Sequence, residues 1–168
     1  MNATTCYSYI DGPLGRMFVQ GDGRFVTGLF MPQHKGWRGP DVSWRQSDES
    51  FAVVREQLAE YFVGERQTFD VPLKLAGAPF QLRVWQELVR IPFGTTITYA
   101  QLAQRVGKPT ATRAVGHANS RNPISIIVPC HRVIGSNGKL TGYAGGLDKK
   151  QWLLAWESDS LVANRAGV

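Results

Sequence analysis

The chain has 168 residues, 43% of them hydrophobic and 19% charged, with a formal net charge of +6 at pH 7. That length buries a core as one domain or two small ones, and the mixed composition excludes a disordered or fibrous chain. No apolar run nears the roughly 20 residues of a membrane span, so contact with a membrane is not expected.

In chain order, residues 4–10 and 16–20 read as short strands separated by Asp11-Gly12-Pro13-Leu14-Gly15, a turn by composition. Asp22-Gly23 then turns into a third strand over 24–30. Residues 31–47 hold prolines, glycines and two tryptophans without periodicity and read as a loop. Phe51, Val54, Leu58, Tyr61 and Phe62 fall on one helical face, with Asp48 as cap and Gly64 as stop. Residues 68–75 read as a final strand or a linker. Nothing in this stretch forms a catalytic set, so 1–75 is expected to be a scaffold domain.

Residues 76–157 follow a helical grammar. Pro79 suits a first helical position, and Phe80, Val84, Leu88 and Ile91 make a stripe that Pro92 ends. Thr98 and Gln101 are spaced as a capping box ahead of Leu102 and Val106, and Gly107 stands at the expected stop. A third helix is predicted over 110–119, which completes a helix-turn-helix outline. That helix is thin: Ala111, Ala114, Gly116 and Ala118 surround Val115, its one larger apolar residue. It suits either close helix packing or entry into a narrow groove, with Arg113 projecting from it. A last helix is predicted over 148–157, and 158–168 is expected to be a flexible tail.

Charge divides the chain in the same place. Residues 1–75 carry 8 Lys/Arg against 9 Asp/Glu, whereas 76–157 carry 10 against 3. A basic half beside a neutral one is the footprint of a protein that meets a polyanion such as nucleic acid, or else a solvated basic face.

The two cysteines, Cys6 and Cys130, are too few for a disulfide framework, and the first residues carry neither the basic start nor the apolar block of a secretory leader. A cytoplasmic setting is therefore expected. Cys6 and His34 are also too few for a tetrahedral zinc site, so no metal and no cofactor are expected. The apolar run Ile126-Ile127-Val128 reads as a buried strand that Pro129 ends, which would leave Cys130 at a pocket. A thiol near pKa 8.5 is a poor nucleophile at neutral pH and needs a base. His131 is adjacent and Glu157 could orient it, giving a Cys–His–Glu relay; an inert buried cysteine beside a core histidine fits the spacing equally.

Several separated motifs carry a resemblance. Pro129-Cys130-His131-Arg132-Val133, Gly142-Tyr143-Ala144-Gly145-Gly146 and Trp152-Leu153-Leu154-Ala155-Trp156-Glu157 resemble the O6-alkylguanine-DNA alkyltransferase family. So do Thr98-Tyr99-Ala100-Gln101-Leu102-Ala103, Arg113-Ala114-Val115-Gly116 and Asn122-Pro123, in the family's order. The resemblance implies an α/β chain of two small domains: a ribonuclease H-like antiparallel sheet with a helix, then a mainly helical winged-helix-like domain. It implies a DNA repair protein that flips O6-alkylguanine out of the duplex and moves the alkyl group irreversibly to Cys130, once per molecule. His131 would take the thiol proton through a water, Glu157 would hold His131, and Tyr99 would donate to the departing purine. Arg113 would fill the vacated stack, with Ala114 and Gly116 beside it in the minor groove of largely sequence-independent DNA. Tyr143, the Ala144 backbone, the carbonyls of Cys130 and Val133, Asn122 and Ser125 would shape the pocket. The expected state is a monomer, with cooperative assembly on DNA left open. Competing classes are a lesion-binding module, which in the related proteins replaces the cysteine, a thiol hydrolase, and a plain helix-turn-helix regulator.

Overall fold

In the computed structural model, which describes residues 4–167, the alternation of Cys6, Ser8 and Ile10 with Tyr7 and Tyr9 produces β1 (Cys6–Gly12), with Cys6, Ser8 and Ile10 buried. A two-residue loop, Pro13-Leu14, returns the chain into β2 (Gly15–Gly21), where Gly15 supplies the positive φ of +102° that the hairpin needs. β3 (Val26–Phe30) pairs antiparallel with β2. It starts two residues later than predicted because the Asp22 carboxylate accepts from the Arg24 and Phe25 N–H groups at 3.0 and 2.8 Å, which turns those donors away from the ladder.

The region predicted as loop contains a short strand, β4 (Arg45–Gln46), parallel to β1, so the sheet runs β3-β2-β1-β4 and is mixed rather than wholly antiparallel. A 3-10 turn (Glu49–Phe51) leads into α1 (Ala52–Phe62), which buries Val54, Gln57, Leu58 and Tyr61. Asp48 does not cap it. Its carboxylate accepts from the Ser8 hydroxyl and pairs with Arg55 at 3.7 Å, a better use of the charge than a bond to one frayed N–H. Residues 68–75 form no strand; a single bridge joins Leu73 to Val26.

The chain divides into two compact units, and the first, ending at Ala76, also takes in Pro123–Ser125. Within that unit Leu29 donates to the Pro123 carbonyl and accepts from Ser125 N–H, both at 2.9 Å. The open edge of β3 is thereby covered.

The second unit comprises Gly77–Asn122 and Ile126 onward. α2 (Pro79–Val89) buries Val84, Trp85 and Leu88, and the Trp85 indole donates to the Ala118 carbonyl at 2.8 Å. β5 (Ile97–Thr98) leads into α3 (Tyr99–Arg105), whose capping box is complete: Gln101 N–H donates to Thr98 Oγ1 at 3.1 Å, and Thr98 N–H to Gln101 Oε1 at 2.8 Å. Gly107, at φ +74°, ends it. α4 (Thr112–Ser120) packs on α2 and α3 through Val115, Ala118 and Asn119, leaving Thr112, Arg113, Ala114 and His117 exposed. β6 (Val133–Ile134) pairs in parallel with β5.

Two expectations need correction here. Residues 126–128 are buried but are not a strand. They form a turn, with Ile126 at φ +69°, whose hydrogen bonds go to the Asn122 side chain and to a 3-10 turn instead of a ladder. The last helix does not end at Glu157. α5 (Leu147–Ala166) continues without a break to Gly167, so the segment expected as a flexible tail is helical as far as Ala166, and Val168 lies outside the described residues. No helix among the described residues is long and apolar enough to cross a membrane.

Candidate active site

Cys130 opens a 3-10 turn (Cys130–Arg132) rather than closing a strand. The turn into it is held by Asn122, whose amide donates to the Val128 carbonyl at 2.7 Å, and by the Cys130 N–H, which donates to the same carbonyl at 2.8 Å. Cys130 is 5% exposed. Burial pushes its thiol above the ordinary value, and the Asn122 amide and the Lys150 charge pull back without offsetting it. The resting group is thus a thiol, and a base must take its proton when it reacts.

The turn aims His131 and Arg132 at one carboxylate. His131 Nε2 lies 2.8 Å from Glu157 Oε1, and both side chains are fully buried. A carboxylate can only accept, so Nε2 carries the proton and Nδ1 keeps its lone pair. That nitrogen is buried with no protein partner among the described residues. Arg132 grips the same carboxylate, Nε to Oε2 at 2.9 Å and Nη2 to Oε1 at 2.7 Å, while its Nη1 donates to the Ile91 carbonyl at 2.6 Å. Gly94 N–H adds a bond to Oε2 at 3.0 Å. Burial alone would raise the Glu157 carboxyl, but the bonds and charges of His131 and Arg132 outweigh it and hold the group ionised. Burial lowers the His131 imidazole below 6.5 despite Glu157, so it is neutral at pH 7 and able to accept a proton.

A second buried charge lies on α5. Lys150, 0% exposed, donates from Nζ to the Thr141 carbonyl at 3.1 Å and to the Tyr99 hydroxyl at 3.4 Å. Burial brings its pKa down to about 8, against the pull of Cys130. Tyr99 itself donates to the Thr141 carbonyl at 2.9 Å, and burial raises its pKa. A methyl group added to Gly116 would meet the Tyr99 ring at 3.7 Å, an ordinary contact, so Gly116 leaves room above that ring. Tyr99, Arg113, Gly116, His117 and Thr141 line an open cleft of about 400 Å³; Cys130 does not line it.

The structure thus brings Cys130, His131, Glu157, Asn122, Tyr99 and Val133 into the second unit's interior or its margin. Arg113 and Ala114 are exposed on α4. Tyr143 and Ala144 are half-buried in the loop before α5, where Gly146 N–H donates to the Tyr143 carbonyl at 3.0 Å. Ser125 is buried in the first unit on the segment that pairs with β3. Three residues escaped sequence reasoning: Arg132 as a clamp on Glu157, Lys150, and the buried Asn119. Helical spacing held the signal for two of them. Lys150, Leu153 and Glu157 share one stripe of α5, so an inward Glu157 implies an inward Lys150; Asn119 stands four residues after the buried Val115. Among the described residues no three His, Cys, Asp or Glu side chains group as metal ligands.

The depressed His131 pKa has a consequence for acid stability. Above 6.5 the imidazole is neutral in both states; below it the unfolded chain takes up a proton that the folded one resists, so stability is lost as pH falls. Lowering the pH from 7.5 to 5.5 should therefore reduce stability through this residue. Urea unfolding at pH 7.5 and 5.5 should show a smaller acid loss in His131→Gln than in the parent. An unchanged loss would assign the effect to other groups, such as His34, which burial also depresses.

Residues 79–159 match the family described as 6-O-methylguanine DNA methyltransferase, DNA binding domain, and residues 5–75 match its ribonuclease-like domain. The chain is 48% identical over 151 residues to the methylated-DNA–protein-cysteine methyltransferase of Mycolicibacterium paratuberculosis, covering 90% of this chain and 91% of that one. It is 49% identical to the protein of the same name from Methanosarcina acetivorans over 152 residues, 90% and 97% of the two chains. The crystal structure of Mycobacterium tuberculosis O6-methylguanine methyltransferase superposes with a TM-score of 0.87 at 44% identity, covering 94% of each chain. The same bacterium's protein in complex with DNA also gives a TM-score of 0.87, at 45% identity over 92% of this chain and 94% of that one. Matched along both units, this chain belongs to the 6-O-methylguanine DNA methyltransferase family.

Proposed function

We propose that this protein repairs DNA by moving an alkyl group from O6 of guanine to Cys130, once per molecule. The observation that carries the reading is a buried cysteine followed directly by a neutral imidazole whose proton is fixed on the Glu157 side, all within a basic helix-turn-helix unit. A plain regulator has no use for that set, and the DNA complex of the M. tuberculosis relative supports DNA as the partner.

The thiol proton passes through a water to His131 Nδ1, and the resulting imidazolium is stabilised by Glu157. The thiolate attacks the alkyl carbon as the carbon–O6 bond breaks. Tyr99 turns from the Thr141 carbonyl and donates to the purine, which would otherwise leave as an anion; Lys150 remains on that carbonyl. The product thioether has no hydrolytic route back, so turnover stops at one. An O6 atom inside a duplex is out of reach, so the nucleotide must rotate out, at a cost of a few kcal/mol. Arg113, exposed on the thin α4 beside the cleft, fills the vacated space from the minor groove, with Ala114 and Gly116 keeping the helix narrow enough to enter. The carbonyls of Cys130 and Val133 and the backbone of Ala144 receive the base, Tyr143 borders it, and Asn122 holds the turn that presents the sulfur.

The test is a mass spectrum after incubation with duplex DNA carrying one O6-methylguanine. One methyl mass should appear, mapped to the peptide of Cys130; a mass elsewhere, or repeated turnover, overturns the reading. Arg113→Ala should slow duplex repair by about tenfold or more while leaving reaction with O6-benzylguanine free base nearly unchanged. Equal losses on both would remove the flipping role.

A further inference from the structure

The segment between α2 and β5 grips the buried ion pair from outside. The Ile91 carbonyl accepts from Arg132 Nη1 at 2.6 Å, the Phe93 ring lies 5.8 Å from the same guanidinium, and Gly94 N–H donates to Glu157 Oε2 at 3.0 Å. Cation and anion are each met by backbone of one short segment, which leads directly into β5 and Tyr99.

Gly94 is the sensitive point. Residues 92–95 form a turn in which Thr95 N–H donates to the Pro92 carbonyl at 3.2 Å, with Gly94 in third place at φ +72°. A positive φ there is the type II arrangement; the type I arrangement reverses the Phe93–Gly94 peptide and turns its N–H to the opposite side. Glycine adopts either at little cost, so the turn alone does not choose between them. The choice is made on α5. One helical turn beyond Glu157 and on the same face, Leu161 lies so close to Gly94 that a Cβ there would overlap its side chain and stand 3.4 Å from the Glu157 carbonyl. Ser160 is buried beside it, so this turn of the helix is packed on the unit.

We infer that Leu161 is a positioning residue: it holds the Phe93–Gly94 peptide with its N–H on Glu157 Oε2 and so keeps Oε1 on His131. This rests on the alkyl-transfer reading above, in which His131 takes the thiol proton. The extension of α5 past Glu157 then serves the proton transfer, although it supplies no reacting atom. With the Gly94 N–H turned away, the carboxylate has one donor fewer to spread its charge. It pulls harder on the His131 proton and strengthens the hold of Nδ1 on a second one, so the base stays protonated to a higher pH.

The test times single-turnover methyl transfer from saturating O6-methylguanine duplex, from pH 8 down to the acid limit of folding. Parent, Leu161→Ala, Leu161→Met and Val162→Ala are compared. Active protein is counted from the total methyl taken up, so a misfolded fraction does not enter the rate. The parent rate should fall in acid as His131 takes up a proton. In Leu161→Ala the fall should begin about half a pH unit higher, a loss of about threefold on the acid limb with little change at pH 8. Leu161→Met refills the seat at similar volume and should restore the parent profile, and Val162→Ala, at an exposed neighbour, should match it throughout. A parent rate that does not fall in acid, a uniform loss at every pH, or an acid limb that Leu161→Ala leaves unmoved overturns the inference while leaving alkyl transfer standing. A shift that Leu161→Met fails to correct does the same. No methyl uptake by the parent overturns the alkyl-transfer reading and this inference with it.

Discussion

Replacing Cys130 with alanine should abolish methyl acquisition while duplex binding survives. The reaction ends on sulfur, and no second thiol can take over: Cys6 is 2% exposed in the first unit, its Sγ within 3.7 Å of the Thr4 carbonyl and 3.6 Å of Arg45. Asn122 and Val128 hold the turn without help from the side chain, so the backbone should persist. Losing one buried sulfur costs about 1–2 kcal/mol, too little to unfold an ordinary domain. Fluorescence anisotropy with lesion-bearing duplex should give a Kd within about threefold of the parent, with affinity falling as salt rises in both proteins because phosphate contacts dominate. Residual methylation of the alanine variant would move the acceptor elsewhere. A large loss of binding in a folded variant would show that the cysteine is structural.

Replacing Glu157 with leucine should have the largest effect on stability. The carboxylate takes bonds from His131, Arg132 and the Gly94 N–H at full burial, and its removal strands a guanidinium in the core. Breaking one side of a buried pair costs about 3–5 kcal/mol, which for a chain of this size lowers Tm by about 10 °C. Glu157→Gln keeps the shape and one acceptor and should lose less. The cost has a different origin from ordinary cavity formation, so a double variant separates the two: Arg132→Met with Glu157→Leu removes both charges and should recover much of the loss. Thermal unfolding by circular dichroism decides. If the double variant is no more stable than the leucine single, the stranded charge is not what costs. The carboxylate also sets an acid limit. Its folded pKa is depressed, so its contribution is complete above the ordinary carboxylate range and is lost as pH falls through the folded value.

Much of this architecture was legible in the residues because local chemistry and tertiary demand agree there. Thr98 and Gln101 close the capping box that their spacing promises, and the first hairpin turns where Gly12 and Gly15 stand. The pairing of His131 with Glu157 was readable as a relay, although its detail was not. Arg132 was visible only as a letter in a motif, because a charged residue is not expected at 5% exposure unless its partner is already placed inside. Ile126-Ile127-Val128 misled for a related reason: an apolar run reports burial, but the hydrogen bonds that separate strand from turn come from Asn122, several residues earlier. The overrun of α5 could have been read, since no glycine or proline interrupts the chain between Glu157 and Gly167. Asp48 was assigned to the cap because its role as partner to Ser8 and Arg55 depends on a strand some forty residues away.

Leu29 finds its outer neighbour at Ile124, roughly 95 residues later in the chain, and a separation of that size bears on how the protein is made. On a ribosome the N-terminal sheet must wait about 5–20 s for Pro123–Ser125 to be translated, with the Leu29 half of its third strand's flank uncovered meanwhile. A fragment that stops at Ala76 would carry that exposed flank permanently. Translation speed across the intervening helices, and the chaperones that meet the nascent chain, should therefore affect the yield of folded protein.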